Sequence, residues 1–380
     1  MIADKVKRIP PSGIRKYFEM TVGMEGIISL GVGEPDFVTP WSIREACIYA
    51  LEKGYTSYTS NWGLLELRNE ISHCIASDYN VRYNPENQII VTTGVSEASD
   101  LAIRAIVNPG DEVIIVEPCY VSYKPCVLLA GGKPVVVPTD LCNDFKVVPE
   151  RIGEKITPKT KAIILSYPNN PTGAIMGKKD LEGIADIVKD HDLFVISDEV
   201  YDKLTYDGTH TCFSSLDGMY DKTILLNGFS KAYAMTGWRI GYAASNLEVI
   251  AAMLKIHQYT MLCAPITAQM AAIEALKNCR EEMLSMVREY DMRRRLIVKG
   301  LNDLGLDCFE PKGAFYSFPS VESTGMTSEV FAEKLLKEQK VAVVPGDVFG
   351  DAGEGFIRCA YAVSRREIKE ALERIGEFLK

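Results

Sequence analysis

Two side chains of opposite charge follow apolar runs of this sequence. Lys231 comes shortly after the run 223–226, and Asp198 comes directly after the run 193–197. A Lys in a closed apolar site loses its charge readily and can form a Schiff base with an aldehyde. A carboxylate at the tip of so apolar a strand needs a cationic partner to stay ionised, and that partner is either an internal Arg or Lys or a cation on a ligand.

Polar and aromatic side chains follow three more apolar runs. The first run leads into TGVSE at 93–97, a glycine turn that suits a phosphate held by backbone N–H groups, although a plain N-cap at Ser96 is the alternative. The second run leads to Tyr120, on which a flat ring could stack. The third leads into the turn SYPNNPTG at 166–173, which turn chemistry alone could also explain.

One ligand would meet all of these requirements together. It needs a phosphate, a flat ring, a ring nitrogen that stays protonated beside Asp198, and an aldehyde for Lys231. Pyridoxal phosphate has these four features, and proteins hold it with a Schiff-base Lys and an Asp at the pyridinium nitrogen. Each signal is weak alone, but together they predict a pyridoxal phosphate site.

The elements that must position these residues recur between about 86 and 245. Helical patterns such as 96–107 and 179–189 separate several short apolar, β-branched runs. The runs are 88–92, 112–116, 134–137, 161–165, 193–197, 223–226 and 240–244. Alternating strands and helices predict an α/β fold with a mostly parallel, seven-stranded sheet covered on both faces. Ligands bind beyond the carboxyl ends of such strands.

The sequence on either side of this core does not alternate between strand and helix patterns. The N-terminal arm is irregular up to Pro40, and long charged helices such as 280–301 follow the core. We predict a large cofactor-binding domain at 46–270 and a small α/β domain made from 1–45, with the N-terminal arm, and 271–380.

The composition of the 380 residues excludes several classes of protein. The 42 Lys and Arg against 51 Asp and Glu give a net charge of −9, which supplies no general attraction for nucleic acid. The ten cysteines include no CxxC pair, so we expect reduced thiols and no metal site. Neither a signal peptide nor an apolar run of about 18 residues is visible, and we expect a soluble, cytoplasmic protein with no membrane partner.

The sequence resembles the class I/II aminotransferases of fold type I, the aspartate aminotransferase superfamily. The most specific match is SKAYAMTGWRIG at 230–241, which is similar to that family's lysine signature. The other motifs stand in the family's order: GVGEPDF at 31–37, Tyr58 with Gly63 and Glu66-Leu67-Arg68, NNPTG at 169–173, DEVY at 198–201, GAFY at 313–316 and FIR at 356–358. The resemblance covers nearly the whole chain and implies a pyridoxal phosphate enzyme.

The resemblance also implies a role for individual residues around the cofactor. Lys231 matches the catalytic Schiff-base lysine, Asp198 matches the partner of the pyridinium nitrogen, and Tyr120 stands at the stacking position. Asn170 and the catalytic residue Tyr201 match donors to the phenolic oxygen of the ring. The remaining cofactor contacts would be the phosphate group's ligands Val95, Ser96, Glu97 and Arg239, together with Ser230.

The resemblance assigns the substrate and subunit contacts as well. Arg358 matches the arginine that binds the substrate α-carboxylate, with Gly33 and Asn170 beside it. Tyr58 matches a residue that the family lends from the neighbouring subunit, which implies a homodimer with shared active sites. One departure is Gly228, where some members carry a Ser that contacts the phosphate.

We therefore expect transfer of an amino group between an L-amino acid and a 2-oxo acid. Glutamate and 2-oxoglutarate are expected as one pair, with aspartate, an aromatic or another neutral amino acid in the other. A pyridoxal phosphate lyase or synthase acting at Cβ or Cγ is the alternative. A cofactor-sensing regulator is disfavoured because such proteins usually carry a basic DNA-binding segment, and a nicotinamide enzyme because Gly31-Val32-Gly33 lacks a third glycine opening a helix.

The choice of the second substrate stays open at this stage. A dicarboxylic substrate would need a cation at the far end of the pocket, and Arg15 or Lys124 could supply it. An aromatic substrate would equally suit the aromatic residues Tyr17, Phe18, Phe315 and Tyr316.

Overall fold

The computed structural model describes residues 2–21 and 23–380 of the chain. Its helices are α1 (Asp4–Lys7), α2 (Gly13–Thr21), α3 (Trp41–Glu52), α4 (Leu65–Tyr79), α5 (Val95–Ile106), α6 (Tyr123–Ala130), α7 (Pro149–Gly153), α8 (Lys178–His191), α9 (Leu247–Thr260), α10 (Ile266–Asn278), α11 (Arg280–Asp303), α12 (Ser328–Gln339) and α13 (Arg365–Phe378). Its strands are β1 (Ile28–Ser29), β2 (Ile89–Thr92), β3 (Glu112–Glu117), β4 (Lys133–Pro138), β5 (Thr160–Ser166), β6 (Phe194–Asp198), β7 (Thr223–Gly228), β8 (Gly241–Ala244), β9 (Tyr316–Ser317), β10 (Val341–Ala342), β11 (Val344–Pro345) and β12 (Ile357–Ala360).

The central sheet has seven strands in the order β2-β8-β7-β6-β5-β3-β4. All neighbours are parallel except β8, which runs antiparallel to both β2 and β7. The pairing of β7 with β8 continues to Gly228 and Gly241. This pair therefore holds together the two ends of the loop that connects the strands. The predicted α/β fold with a mostly parallel seven-stranded sheet is confirmed.

Apolar side chains alternate between the two faces of this sheet, and helices cover both. On one face Ile115 and Ile164 pack with Leu101 of α5 and Ile250 of α9. On the other face, residues of β3, β5 and β6 pack with Ile184 and other residues of α8. Burial on both faces explains the continuous Val- and Ile-rich runs from which the strands were predicted.

The N-terminal arm is more regular than the sequence predicts. The expectation of an irregular segment is wrong over α2, which the sequence pattern did not indicate. Tyr17 of this helix is 6% exposed, and Lys16 Nζ lies 2.8 Å from Glu329 Oε1 of α12. Such long-range contacts stabilise a short helix that local propensity alone would leave marginal.

The two ends of the chain meet in two smaller sheets. Strand β1 pairs in parallel with β10, and β12 lies between β11 and β9 in an antiparallel sheet. This pairing supports our proposal of a small domain built from both chain ends. The predicted boundaries at 45/46 and 270/271 fall inside α3 and α10, so the start of α3 and the end of α10 are better places for them.

Two general expectations of the sequence concern cysteines and membrane segments. All ten cysteines are unpaired thiols, and five of them are buried. In the described part of the chain, no helix combines the length and the apolar character needed to span a bilayer.

Candidate active site

A cavity of about 560 Å³ opens beyond the carboxyl ends of the parallel strands. Eleven of the thirteen predicted site residues line it. They are Gly33, Val95, Ser96, Tyr120, Asn170, Asp198, Tyr201, Ser230, Lys231, Arg239 and Arg358. Their positions follow from the fold, because parallel strands bring the loops at their carboxyl ends to one edge of the sheet.

Lys231 lies in the loop between β7 and β8. Its Nζ donates a hydrogen bond to the Gly33 carbonyl oxygen at 2.7 Å. Burial, reinforced by the positive charge of Arg358, lowers the pKa of Lys231 to about 8. A larger fraction of this amine is therefore uncharged near neutral pH than for a surface Lys, as a nucleophile towards an aldehyde requires.

Asp198 ends strand β6 and is only 6% exposed. Burial raises its pKa to about 6, although hydrogen bonds from the Tyr123 hydroxyl at 2.7 Å and the Val200 N–H at 3.2 Å favour the ionised form. A raised pKa in a fully enclosed carboxyl group shows that these bonds do not fully compensate the lost solvation. A cation placed beside Asp198 would restore the ionised state.

The start of α5 forms the third side of the cavity. The helix begins after Gly94, whose φ of 79° favours glycine, and any Cβ there would lie 2.7 Å from Arg239 Nη2. The first-turn N–H groups of the helix and the Arg239 guanidinium therefore lie at one corner, which is an arrangement suited to a phosphate. Gly228 is equally confined, since a Cβ on it would lie 3.0 Å from Val95 Cγ2.

Arg358 of β12 is a buried cation on the opposite wall, with 1% exposure. Its Nη1 donates to Asn170 Oδ1 at 2.9 Å and its Nη2 donates to the Gly31 carbonyl at 2.7 Å. The Tyr316 ring lies 4.5 Å from its guanidinium carbon. Its Nε has no partner among the described residues. Burial lowers the pKa of Arg358, and an incoming carboxylate would supply the missing negative charge.

Two tyrosines connect these walls. The hydroxyl groups of Tyr201 and Tyr316 are 2.7 Å apart. A Cβ at position 33 would lie 2.4 Å from the Tyr316 hydroxyl, so only glycine allows the backbone to approach this closely. The pair keeps Tyr201 next to Lys231, whose Nζ lies 5.9 Å from the Tyr201 ring centroid.

Comparison with known proteins identifies the family of this chain. The model of the family "Aminotransferase class I and II" matches residues 25–375. The chain belongs to this family. YugH of Bacillus subtilis (strain 168) is 54% identical over 378 residues, which are 100% of this chain and 98% of YugH. Aromatic-amino-acid aminotransferase 2 of Thermococcus litoralis is 45% identical over 382 residues, which are 100% of this chain and 98% of that protein.

The solved structures give the same result for the fold. Aspartate aminotransferase from Thermus thermophilus with maleate matches this aminotransferase with a TM-score of 0.95 at 38% identity, covering 99% of each chain. The expected resemblance, the transfer of amino groups and the dependence on pyridoxal phosphate are therefore confirmed.

The residues of this aminotransferase fit pyridoxal phosphate. Asp198 is an enclosed carboxyl with no ion-pair partner among the described residues, and the ring nitrogen would supply a cation when protonated. Gly94 and Arg239 form a close-packed corner at a helix N-terminus, where the phosphate group fits. Lys231 is the enclosed amine whose pKa burial lowers to about 8.

Two predicted residues of the aminotransferase do not line the cavity. The side chain of Tyr58 is 84% exposed. Glu97 directs its carboxylate away from the cavity, towards the Thr93 N–H at 2.5 Å, and its own N–H donates to the Gly94 carbonyl at 3.2 Å. A phosphate contact through the Glu97 side chain is therefore not favoured, and the expected contact through its backbone N–H stays a prediction.

Other residues of the aminotransferase site were missed by sequence reasoning. Tyr123 donates to Asp198, and its spacing of three residues after Tyr120 was the only available signal. Helix α2 of the N-terminal arm adds Ile14 to the lining, preceded by Ser12, whereas its Arg15 and Tyr17 also line the cavity and were already named from the sequence as substrate contacts. The side chain of Phe18, named above for an aromatic substrate, lies outside the described residues.

Proposed function

We propose that this aminotransferase exchanges an amino group between glutamate and a 2-oxo acid, with 2-oxoglutarate as the returning acceptor. The proposal rests on the observation that Lys231, Asp198 and Arg358 line one cavity. An aldehyde would react with Lys231, a cation would pair with Asp198, and a carboxylate would pair with Arg358. We further propose that it acts in the cytoplasm in amino-acid biosynthesis, which the ten unpaired thiols support.

Each residue has a distinct task in this proposal. Pyridoxal phosphate, when bound, supplies an electron sink for the negative charge that develops at the substrate α-carbon. Arg358 binds the α-carboxylate and so orients the α-carbon. Lys231 Nζ, once free, would accept the proton from the substrate α-carbon and deliver it to the cofactor carbon that receives the amino group. Asp198 stays ionised beside the protonated ring nitrogen, while Asn170 and Tyr201 donate to the phenolic oxygen.

A panel of amino donors tested against a few 2-oxo acids examines this function directly. Glutamate is expected to be accepted as donor, and 2-oxoglutarate as acceptor. A single half-reaction, with an amino acid and no oxo acid, should convert the cofactor stoichiometrically to pyridoxamine phosphate with release of the matching oxo acid. Release of ammonia or of a substituent from Cβ or Cγ would instead identify a lyase or synthase.

Arg15 is our proposed partner for the distal carboxylate of a dicarboxylic substrate. Its side chain is exposed and lines the same cavity as Arg358, from α2. The other candidate, Lys124, is already paired with Glu117, which is 1% exposed. The Thermus aminotransferase was solved with maleate, a dicarboxylate, which supports a substrate of this class.

Arg15→Gln is therefore expected to raise KM for glutamate and 2-oxoglutarate while leaving KM for a neutral amino acid nearly unchanged. An exposed ion pair contributes up to about 1 kcal/mol, so the increase should be roughly three- to fivefold. Steady-state kinetics with glutamate and phenylalanine would measure it, with Arg8→Gln, an exposed arginine of the N-terminal arm that does not line the cavity, as the matched control. An equal change for both substrates would contradict the assignment.

Arg358→Lys should raise KM for amino and oxo substrates together, because both present the same α-carboxylate. Lys retains the charge but cannot form the bidentate hydrogen bonds of a guanidinium, which Asn170 and Gly31 hold in its orientation. Kinetics in both directions would measure the effect, with the cofactor absorbance expected to stay unchanged. If the slow turnover of a primary amine without a carboxylate fell as much, Arg358 would be structural only.

We propose that two chains form a dimer through an exposed apolar surface. Tyr58 and Tyr259 are 84% and 86% exposed, respectively, and Asn61 Nδ2 donates to the Leu262 carbonyl at 2.6 Å, which joins their two segments. Further large exposed apolar residues lie on α3, among them Trp41, Ile48, Tyr49 and Leu51. Large apolar side chains exposed in this number are typical of an interface, and an interface here would bring Tyr58 to the partner's site.

Subunit exchange between two inactive variants tests the shared site. Tyr58→Phe and Lys231→Ala homodimers each lack one group, whereas a hybrid holds one complete site if Tyr58 acts across the interface. At equal mixing, about one quarter of all sites should become native, so activity should rise above the mean of the parents. The control mixes Tyr58→Phe with the double variant Lys231→Ala/Tyr58→Phe, which restores no site. Activity at the mean despite exchange would place Tyr58 outside the partner's site.

A further inference from the structure

A buried histidine lies behind the start of α5. His257 of α9 is fully buried, and its Nδ1 lies 2.6 Å from Oε1 of Glu97, whose side chain is 12% exposed. Val249, Ile250 and Met253 precede His257 on the buried face of the same helix, and α9 packs along α5. The packing of the two helices therefore places the imidazole against the first turn of α5.

Glu97 connects this histidine to the turn that enters α5. Its other oxygen, Oε2, accepts a hydrogen bond from the Thr93 N–H at 2.5 Å. The Thr93 hydroxyl is buried and has no partner among the described residues, so the side chain of Thr93 does nothing to fix the turn. The Glu97 side chain thus connects Thr93, and with it the Gly94 turn, to helix α5.

The hydrogen bond between His257 and Glu97 has a defined direction. An ionised carboxylate only accepts hydrogen bonds, so His257 Nδ1 must carry the donated proton. The other ring nitrogen, Nε2, is buried without a partner among the described residues. His257 therefore donates through Nδ1 to the Glu97 carboxylate.

We propose that His257 is a positioning residue for the cofactor phosphate. It holds the Glu97 carboxylate, and through it the Thr93–Gly94 backbone, in the conformation that directs the first-turn N–H groups of α5 into the cavity. Without His257, Glu97 would be free to turn to solvent, and the turn would keep only the hydrogen bond from the Thr92 hydroxyl to the Gly94 carbonyl at 3.0 Å and its backbone hydrogen bonds. This inference rests on the proposed placement of the phosphate at the start of α5.

Binding of the cofactor to the apoenzyme tests the proposal without reference to activity. Pyridoxal phosphate and pyridoxal are titrated against wild type, His257→Leu and His257→Asn, and thermal melts verify that each apoenzyme is folded. Loss of a hydrogen bond to a charged group should weaken pyridoxal phosphate by about tenfold in His257→Leu. Pyridoxal lacks the phosphate, and its affinity should change by less than about twofold. His257→Asn should restore most of the affinity, because its amide nitrogen occupies the place of Nδ1.

Two control variants separate this inference from the placement of the phosphate. His73→Leu removes an exposed histidine on α4 and should bind both compounds as wild type does. Ser96→Ala tests the placement itself, and a selective loss of pyridoxal phosphate is expected for it. If Ser96→Ala shows no selective loss, the placement of the phosphate is wrong, and the inference falls with it.

The remaining outcomes concern His257 alone. Equal weakening of both compounds in His257→Leu would make the residue merely structural, and unchanged binding would make it irrelevant to the cofactor. Either result, obtained with a selective loss in Ser96→Ala, overturns the inference and leaves the phosphate site intact. If His257→Leu does not fold, Glu97→Ala decides, since it removes the same support and should show the same selective loss.

Discussion

Lys231→Ala is expected to purify as a folded protein that shows no multiple-turnover transamination. The variant lacks the amine that would hold the cofactor covalently and carry the proton of the substrate α-carbon. Folding should not suffer, because burial lowers the pKa of Lys231 to about 8 in the folded chain. The unfolded chain therefore binds this proton more tightly, and below pH 8 the charged Lys destabilises the native state. The apoenzyme of the variant should melt at the same or a higher temperature than wild type at pH 7.

Reduction with borohydride followed by peptide mapping measures the covalent part of this prediction. Wild type should carry the cofactor on the peptide that contains Lys231, and the variant should carry none. Lys178→Ala, which removes an exposed lysine at the start of α8, is the matched control and should behave as wild type. A reduced cofactor adduct on another lysine of the purified Lys231→Ala protein would move the attachment site and refute the assignment.

Asp198→Asn is expected to reduce kcat far more than it reduces retention of the cofactor. The phosphate contacts and Lys231 would still hold the ring, while the pyridinium proton loses its ionised partner. Loss of one member of a buried charge pair costs about 3 to 5 kcal/mol, so kcat should fall by roughly two to four powers of ten. Single-turnover kinetics and cofactor content after gel filtration would measure the two effects separately. A variant within about threefold of the wild-type kcat would show that Asp198 pairs with something else.

The pH dependence of the apoenzyme offers an independent measurement on the same variant. The pKa of Asp198 is raised to about 6 in the folded chain, so the folded state binds its proton more tightly than the unfolded state does. Its favourable contribution to apoenzyme stability is therefore present below about pH 4 and is lost as the pH rises to about 6. Asn does not titrate, so the melting temperature of Asp198→Asn relative to wild type should increase over this range. A pH-independent difference would contradict the raised pKa.

The sequence predicted those parts of the fold and site that depend on local patterns. The strands were visible because burial on both faces requires continuous Val and Ile, as in Ile89–Thr92. Lys231 and Asp198 were visible because a charged residue directly after such a strand is unusual. Both features are encoded within a few neighbouring residues.

The parts that escaped prediction depend on contacts between distant segments. Helix α2 is stabilised through Glu329 on α12, more than three hundred residues away in the chain. Tyr123 has a role only because α6 brings its hydroxyl to Asp198. The orientation of Glu97 depends on His257, on a different helix. No local pattern encodes any of these three contacts.

The antiparallel strand β8 has a consequence for how the site responds to motion. Because Gly228 pairs with Gly241, Lys231 and Arg239 lie in one short loop whose two ends are fixed by the central sheet. Arg358, by contrast, comes from β12 in a separate sheet, which its hydrogen bond to Asn170 and the contact between the Tyr316 and Tyr201 hydroxyl groups connect to the opposite wall. If Arg358 holds the substrate as proposed, a rotation of that sheet would displace the substrate contact further than Lys231 and Arg239, whose loop the central sheet holds at both ends.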